Sequence, residues 1–194
     1  MVLPIVKYGE PVLRQKGLRI EKITPELREF VADMFETMKA ARGVGLAAQQ
    51  VGRALQLCVI DVREVADRPS TLELNGEESD PNEFMPLTLI NPTFTTHGEP
   101  VEGPEGCLSF PEIYADIARP AEVAVTALDI DGKPLAFKCD GLLARAIQHE
   151  YDHLQGILFI DRMSRESKLE NKAEIDALQA ETKARAKRKQ TRHE

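Results

Sequence analysis

Residues 140–156 read DGLLARAIQHEYDHLQG, and the organisation of the chain turns on this stretch. Leu142, Leu143, Ala146, Ile147, Tyr151 and Leu154 recur at the spacing of a helix with one apolar face, and Gly156 stands where such a helix stops. Inside it lies the pattern His149-Glu150-x-x-His153. Residues four apart on a helix are rotated by only about 40°, so both imidazoles can meet one ion from the same face. Glu150 lies within about a quarter turn of each, near enough for its carboxylate to act on a water at the ion's open coordination position. Both histidines fall among the apolar positions of the helix rather than on a charged face. The remaining two, His97 and His193, fall in an expected turn and in the tail, and neither is read as a ligand.

Two histidines leave a catalytic centre one protein ligand short, because three ligands with one open position is the recurring arrangement. Cys107 is chosen as the third. It sits in GPEGCLSFP, residues 103–111, where Gly and Pro punctuation can present a side chain at the end of a strand. Cys58 lies in the apolar run LQLCVIDV, and Cys139 borders a helix start without histidine neighbours, so both are read as packing. A thiolate with two imidazoles suits Zn²⁺, Fe²⁺, Co²⁺ or Ni²⁺ rather than Mg²⁺ or Ca²⁺. The donor chemistry does not choose among those four.

Working outward, Thr24-Pro25 opens a second amphipathic helix that runs to Ala41, with Leu27, Phe30, Val31, Met34, Phe35 and Met38 on its apolar side. Gly43 and Gly45 then mark a loop before a strand at Leu55 to Val62. From Arg63 to Glu83 the chain turns polar and acidic, which predicts an exposed insertion or long hairpin loop that carries no catalytic residue. Short strands are expected at Leu87 to Asn91, Phe94 to Thr96, Ile113 to Ile117 and Val123 to Leu128, with an Asp131-Gly132 hairpin turn leading into Pro134 to Lys138. Several antiparallel pairs follow from this pattern.

The chain has 194 residues, enough for one domain with extensions, and its 42% apolar and 29% charged composition is that of a folding globular chain. A formal charge of −7 gives no global attraction to nucleic acid or anionic lipid, so no specific DNA partner is expected. No apolar run approaches the roughly 20 residues of a membrane span, and the N-terminus lacks a signal-peptide layout. Three cysteines without framework spacing fit a reducing compartment, so a cytoplasmic location is expected. Beyond Ser164 the sequence is charge-rich and ends in KARAKRKQTRHE, residues 183–194, which predicts a solvated helix fraying into a basic tail. The same basic cluster would give a local contact to RNA.

At this point the residues resemble a known family, the peptide deformylases. Residues 43–50, GVGLAAQQ, look like that family's GxGLAAxQ motif; residues 105–109, EGCLS, match its EGCLS motif; residues 149–153, HEYDH, look like its HExDH motif. All three occur in the family's order, and residues 8–14 (YGEPVLR) and 141–148 (GLLARAIQ) are similar as well, so the likeness spans residues 3–163. The resemblance implies an α+β fold, with mixed and antiparallel sheets packed around the HExxH helix. It divides the chain into a catalytic domain at 1–163 and a charged, helical extension at 164–194.

Carried over residue by residue, the resemblance implies Cys107, His149 and His153 as metal ligands and Glu150 as the acid/base. Gln50 and the backbone N–H of Leu108 would stabilise an oxyanion. It implies Fe²⁺ as the resident ion, with Zn²⁺, Ni²⁺ or Co²⁺ as alternatives. The implied substrate is the formyl-methionyl end of nascent peptides, from which formate is released, and the ribosome is a further partner for the basic tail. Gly43, Val44 and Gly45 are expected beside the substrate, where glycine lets backbone approach a peptide that adds as a strand. Glu105 and Gly106 are placed at the same site, Glu105 to hold a ligand or the pocket backbone. Leu142 and Ala146 are candidate walls of a methionine pocket or generic core.

Two departures and two rivals frame these expectations. Some family members carry arginine seven residues after the ligand cysteine, where this chain has Tyr114, and the acidic insertion exceeds the shortest family versions. A zincin-type metallopeptidase would also use HExxH, but its third ligand lies downstream of the helix. A metal-stabilised binding protein would not need all of the catalytic positions that this chain retains.

Overall fold

Thr24 starts the first helix as its side chain predicts. In the computed structural model, which describes residues 1–190, its hydroxyl accepts from the Leu27 N–H, and Pro25, which has no N–H to leave unpaired, takes the first position of α1 (Pro25–Ala40). The buried face of α1, from Leu27 through Met34 to Met38, packs on two short strands, β1 (Gly45–Ala47) and β2 (Leu57–Ile60). Each such apolar side chain removed from water contributes about 1.5–3 kcal/mol, and this cluster fixes the loop between α1 and β1.

The chain then forms β3 (Leu72–Leu74), β4 (Glu77–Ser79), the short α2 (Pro81–Phe84), β5 (Leu87–Cys107), β6 (Phe110–Leu128) and β7 (Pro134–Cys139). These make one seven-stranded sheet in the order β1-β2-β5-β6-β7-β3-β4. Every strand pair in it is antiparallel, and the parallel component of the expected mixed sheet is a single bridge, Leu18 to Leu55.

The four short strands expected between residues 87 and 128 are in fact two long ones. Pro and Gly suggested breaks, but the pairing continues past them through register shifts at Ile90/Thr93, His97/Pro100 and Gly106/Cys107. A bulge lets an irregular residue bend the ladder without ending it.

The stretch 63–83 is also more than an exposed loop. It forms the β3–β4 hairpin around Asn75-Gly76, Leu72 is buried, and β3 pairs with β7 at Leu72↔Cys139 and Glu73↔Lys138. It caps the next helix, α3 (Gly141–Leu154), from outside: the Ser70 hydroxyl accepts from the Leu143 N–H, while the Asp140 carboxylate accepts from the Thr71 N–H. α3 stops at Leu154, two residues before Gly156, whose φ of 73° is the left-handed turn that glycine tolerates best.

Three helices follow, α4 (Phe159–Arg162), α5 (Arg165–Glu170) and α6 (Lys172–Gln190). The solvated-tail expectation needs correction over α6. Ile175 and Leu178 pack against the cluster of Leu13, Phe110 and Phe159, and Thr182 is buried against Gly9. His193 and the end of the basic run lie outside the described residues. Among the described residues, no helix is long and apolar enough to cross a membrane. Cys58 and Cys139 are buried packing residues of the main core, as read from sequence.

Candidate active site

α3 is buried on nearly every side, and this governs its polar residues. Arg145, Gln148, His149, Glu150, Asp152 and His153 are all at most 8% exposed, so each must find partners inside the protein or remain desolvated at a cost. Most find them. Gln148 donates to the Pro120 and Ala144 carbonyls. Arg145 donates to the Val101 and Ile117 carbonyls and to Glu105. Asp152 accepts from Arg119 and Arg162. Two buried atoms on α3 find no protein partner: Glu150 Oε2 and His153 Nδ1.

Packed beta strands bring Cys107, the last residue of β5, against this helix. Cys107 Sγ and one ring nitrogen each from His149 and His153 lie within 4.8 Å of one another, and Sγ is 3.3 Å from His153 Nε2. Metal bonds of about 2.0–2.3 Å in a tetrahedral arrangement bring ligand atoms to about 3.3–3.8 Å, so these three can close on one ion with little movement. The ring orientations agree. His149 Nδ1 is 3.0 Å from Glu105 Oε2, which directs its other nitrogen inward, as a carboxylate does behind a metal-bound imidazole.

The electrostatics favour a cation. Burial opposes charge on Glu105, but hydrogen bonds from His149 and Arg119 outweigh it and hold the carboxyl well below the usual range. Burial would also keep a proton off His149, yet Cys107 and Glu105 together pull its pKa well above normal. A site that draws positive charge this strongly suits a divalent ion in place of that proton. Burial, reinforced by His149, Arg119 and Arg14, keeps His153 neutral and its lone pair available.

Gln50 stands on the other side of Cys107. Its Oε1 accepts from the Ala47 N–H at 2.8 Å, which fixes the amide so that Nε2 faces Cys107 Sγ at 3.5 Å and Ser109 Oγ at 3.4 Å. The turn after Cys107 is held by Lys7, whose Nζ donates to the Leu108 carbonyl at 2.7 Å, and by the Tyr8 N–H, which donates to the Ser109 carbonyl.

A cavity of about 590 Å³ opens over this group. Its lining includes Gly43, Val44, Gly45, Gln50, Glu105, Gly106, Cys107, Leu108, Leu142, Ala146, His149 and Glu150, so every residue singled out from sequence except His153 borders it. His97 lies away from the site, exposed beside Thr95. Gly45 passes so close to the helix that a Cβ there would sit 2.3 Å from Glu150 Oε1.

Sequence reading missed the residue that ties the site together, Arg119. It is buried, donates through Nε and Nη2 to both oxygens of Glu105, and reaches Asp152 through Nη1 at 2.9 Å. A signal was present, because Ile113, Ile117 and Arg119 follow the two-residue alternation that points inward on β6. Arg42 and Arg68, which line the cavity, were missed too, and Arg68 belongs to the stretch expected to be an exposed insertion or long hairpin loop.

A family model described as polypeptide deformylase matches residues 2–169. A peptide deformylase of Opitutus terrae is 46% identical over 191 residues, covering 96% of this chain and 98% of that protein. Among solved structures, a peptide deformylase from Synechococcus elongatus in complex with actinonin is 39% identical, with a TM-score of 0.73 over 93% of this chain and 85% of that one. Another, from Legionella pneumophila, is 33% identical with a TM-score of 0.76 over 99% of both chains.

Proposed function

The chain belongs to the polypeptide deformylase family, and from that premise we infer that it is a hydrolase removing the formyl group from the N-terminal formyl-methionine of nascent polypeptides. One arrangement supports this best: Cys107, His149 and His153 gathered within 4.8 Å beside the partnerless carboxylate oxygen of Glu150, under a cavity large enough for a methionyl peptide end.

We assign Cys107, His149 and His153 as the ligands of one divalent ion, with Fe²⁺ as the resident metal and Zn²⁺, Ni²⁺ or Co²⁺ as substitutes. When bound, the ion supplies Lewis acidity that polarises the formyl carbonyl and acidifies water. The chain's own residues do the rest. Glu150 takes the proton of the water that adds to the formyl carbon and delivers it to the departing nitrogen as the carbon–nitrogen bond breaks. Gln50 Nε2 and the Leu108 N–H donate to the formyl oxygen as charge develops there. Formate and a free amino terminus leave. Leu142 and Ala146 wall the methionine side chain, and Gly43 to Gly45 run beside the peptide backbone across from Glu105 and Gly106. The catalytic unit is residues 1–163, acting in the cytoplasm, and the basic end of the 164–194 extension touches the ribosome. Deleting residues 183–194 is expected to weaken co-sedimentation with ribosomes.

Anaerobically purified protein reloaded with Fe²⁺ or Ni²⁺ is expected to release formate from formyl-Met-Ala-Ser, and Cys107→Ala or a chelator is expected to abolish it. No release from fully metallated protein would remove this function.

Gly45→Ala tests the placement of Glu150. Since Glu150 is only 4% exposed and cannot swing aside, the added methyl would displace its carboxylate. Misplacing a catalytic group by about 1 Å can lower turnover about 100-fold. That loss in kcat is expected with metal content unchanged, and a rate close to that of the parent chain would show that Glu150 is not held by this contact.

A further inference from the structure

The rim of the cavity carries positive charge that the reaction itself does not use. Three of its charged residues are committed. Lys7 is bound to the Leu108 carbonyl, Arg145 to Glu105 and backbone carbonyls, and Glu105 to Arg119 and His149. Arg42 is not, and Arg68 is held only by one long bond to a carbonyl. Among the described residues neither guanidinium meets a carboxylate, and the side-chain contact of Arg68 is a 3.5 Å hydrogen bond to the Pro104 carbonyl. In a chain of net charge −7, two arginines at one cavity with no carboxylate partner are unexpected.

Both are held in place through their backbone. Arg42 sits in the left-handed turn (φ 54°) that ends α1, with its own N–H donating to the Lys39 carbonyl and the next N–H to the Met38 carbonyl. Arg68 lies on the segment that Ser70 and Thr71 fasten to the start of α3. Glu112 is the opposing carboxylate on the rim. Tyr114, seven residues after Cys107 and 67% exposed, brings no positive charge to the lining. The cationic character of the mouth thus comes from other segments.

We propose that Arg42 and Arg68 form a subsite for an acidic side chain among the first residues after the formyl-methionine. The proposal rests on the deformylase reading. With the formyl end beside Glu150, the rest of a nascent chain has to leave the cavity past its rim, and its next side chains come within reach of these guanidinia. Arginine is well suited to capture a carboxylate there through paired N–H donors. Nascent proteins with Asp or Glu early in their sequence are then processed faster than those with Lys or Arg.

The test compares kcat/KM for formate release by the metal-loaded full chain from formyl-Met-Ala-Glu-Ala, formyl-Met-Ala-Lys-Ala and formyl-Met-Ala-Ala-Ala, together with versions carrying the charge one residue earlier. Partly exposed ion pairs are each worth a small factor. An acidic-over-lysine ratio of about 3 to 10 at low salt is therefore expected, shrinking as salt rises. The R42Q/R68Q variant should bring the ratio near 1. R42E/R68E should invert it in favour of lysine, a result that loss of folding cannot produce. Equal rates for all three peptides in the parent chain, or an unchanged ratio after charge reversal, would overturn the subsite while leaving the deformylase function intact. No formate from any peptide would overturn both.

Discussion

Glu150→Gln is expected to keep one metal ion per chain and lose about 10²- to 10⁴-fold in kcat, the range that a positioned acid/base contributes. The substitution changes little else. Glutamine has the same shape, so the packing of α3 against β1 and β2 should survive. Burial, with a smaller push from Glu105 and against the pull of His149, raises the Glu150 carboxyl to about 7. A group poised near neutrality can both accept and return a proton. A divalent ion on the adjacent donors would draw that value down again, because it favours the carboxylate. The amide removes the titration in either case. Steady-state kinetics on formyl-Met-Ala-Ser alongside elemental analysis of the same sample would separate the two effects. A rate near that of the parent chain with metal retained would take Glu150 out of the proton transfer; loss of metal together with activity would make it a structural residue instead.

The parts of this site that are legible in sequence are those whose geometry is local. His149, Glu150 and His153 lie on one helix, whose pitch alone sets their relation, and Cys107 is recognisable from its glycine- and proline-marked surroundings. Gln50 is different. Periodicity assigns it nothing, and only the likeness of residues 43–50 to a family motif draws attention to it; the Ala47 N–H that orients its amide is visible in three dimensions alone. The strands were underestimated for a physical reason. Pro92, Gly98, Pro100 and Gly103 each weaken local strand propensity, but β5 and β6 pair along nearly their whole length, and that pairing outweighs what a single strand shows. The role of residues 63–83 was hidden similarly. Their polarity signals exposure, while Leu72, Ser70 and Arg68 turn inward to the core, the start of α3 and the cavity.

Arg119 illustrates the limit of sequence most clearly, and its replacement should have the largest effect on stability. Arg119→Met is expected to lower the unfolding free energy by about 3–5 kcal/mol and metal affinity by about 10- to 100-fold. Methionine fills much of the same volume, so lost packing is not the main cause. Glu105 and Asp152 are 4% and 7% exposed in their side chains, and Arg119 holds both, with its side chain 5% exposed. Removing it leaves two buried carboxylates close together with fewer cations. Arg145 still bonds Glu105 and Arg162 still bonds Asp152, which favours the lower end of that range. The metal effect has a separate origin. Glu105 positions the His149 ring, and a carboxylate that has lost its bidentate clamp no longer holds the ring in one orientation. Urea denaturation of the metal-free protein would report the first effect as a lower midpoint at unchanged slope, and chelator competition would report the second. A shifted midpoint with unchanged metal affinity would confine Arg119 to the fold. If affinity alone fell, the buried charges would be balanced without Arg119, and its work would lie in aiming His149 at the ion.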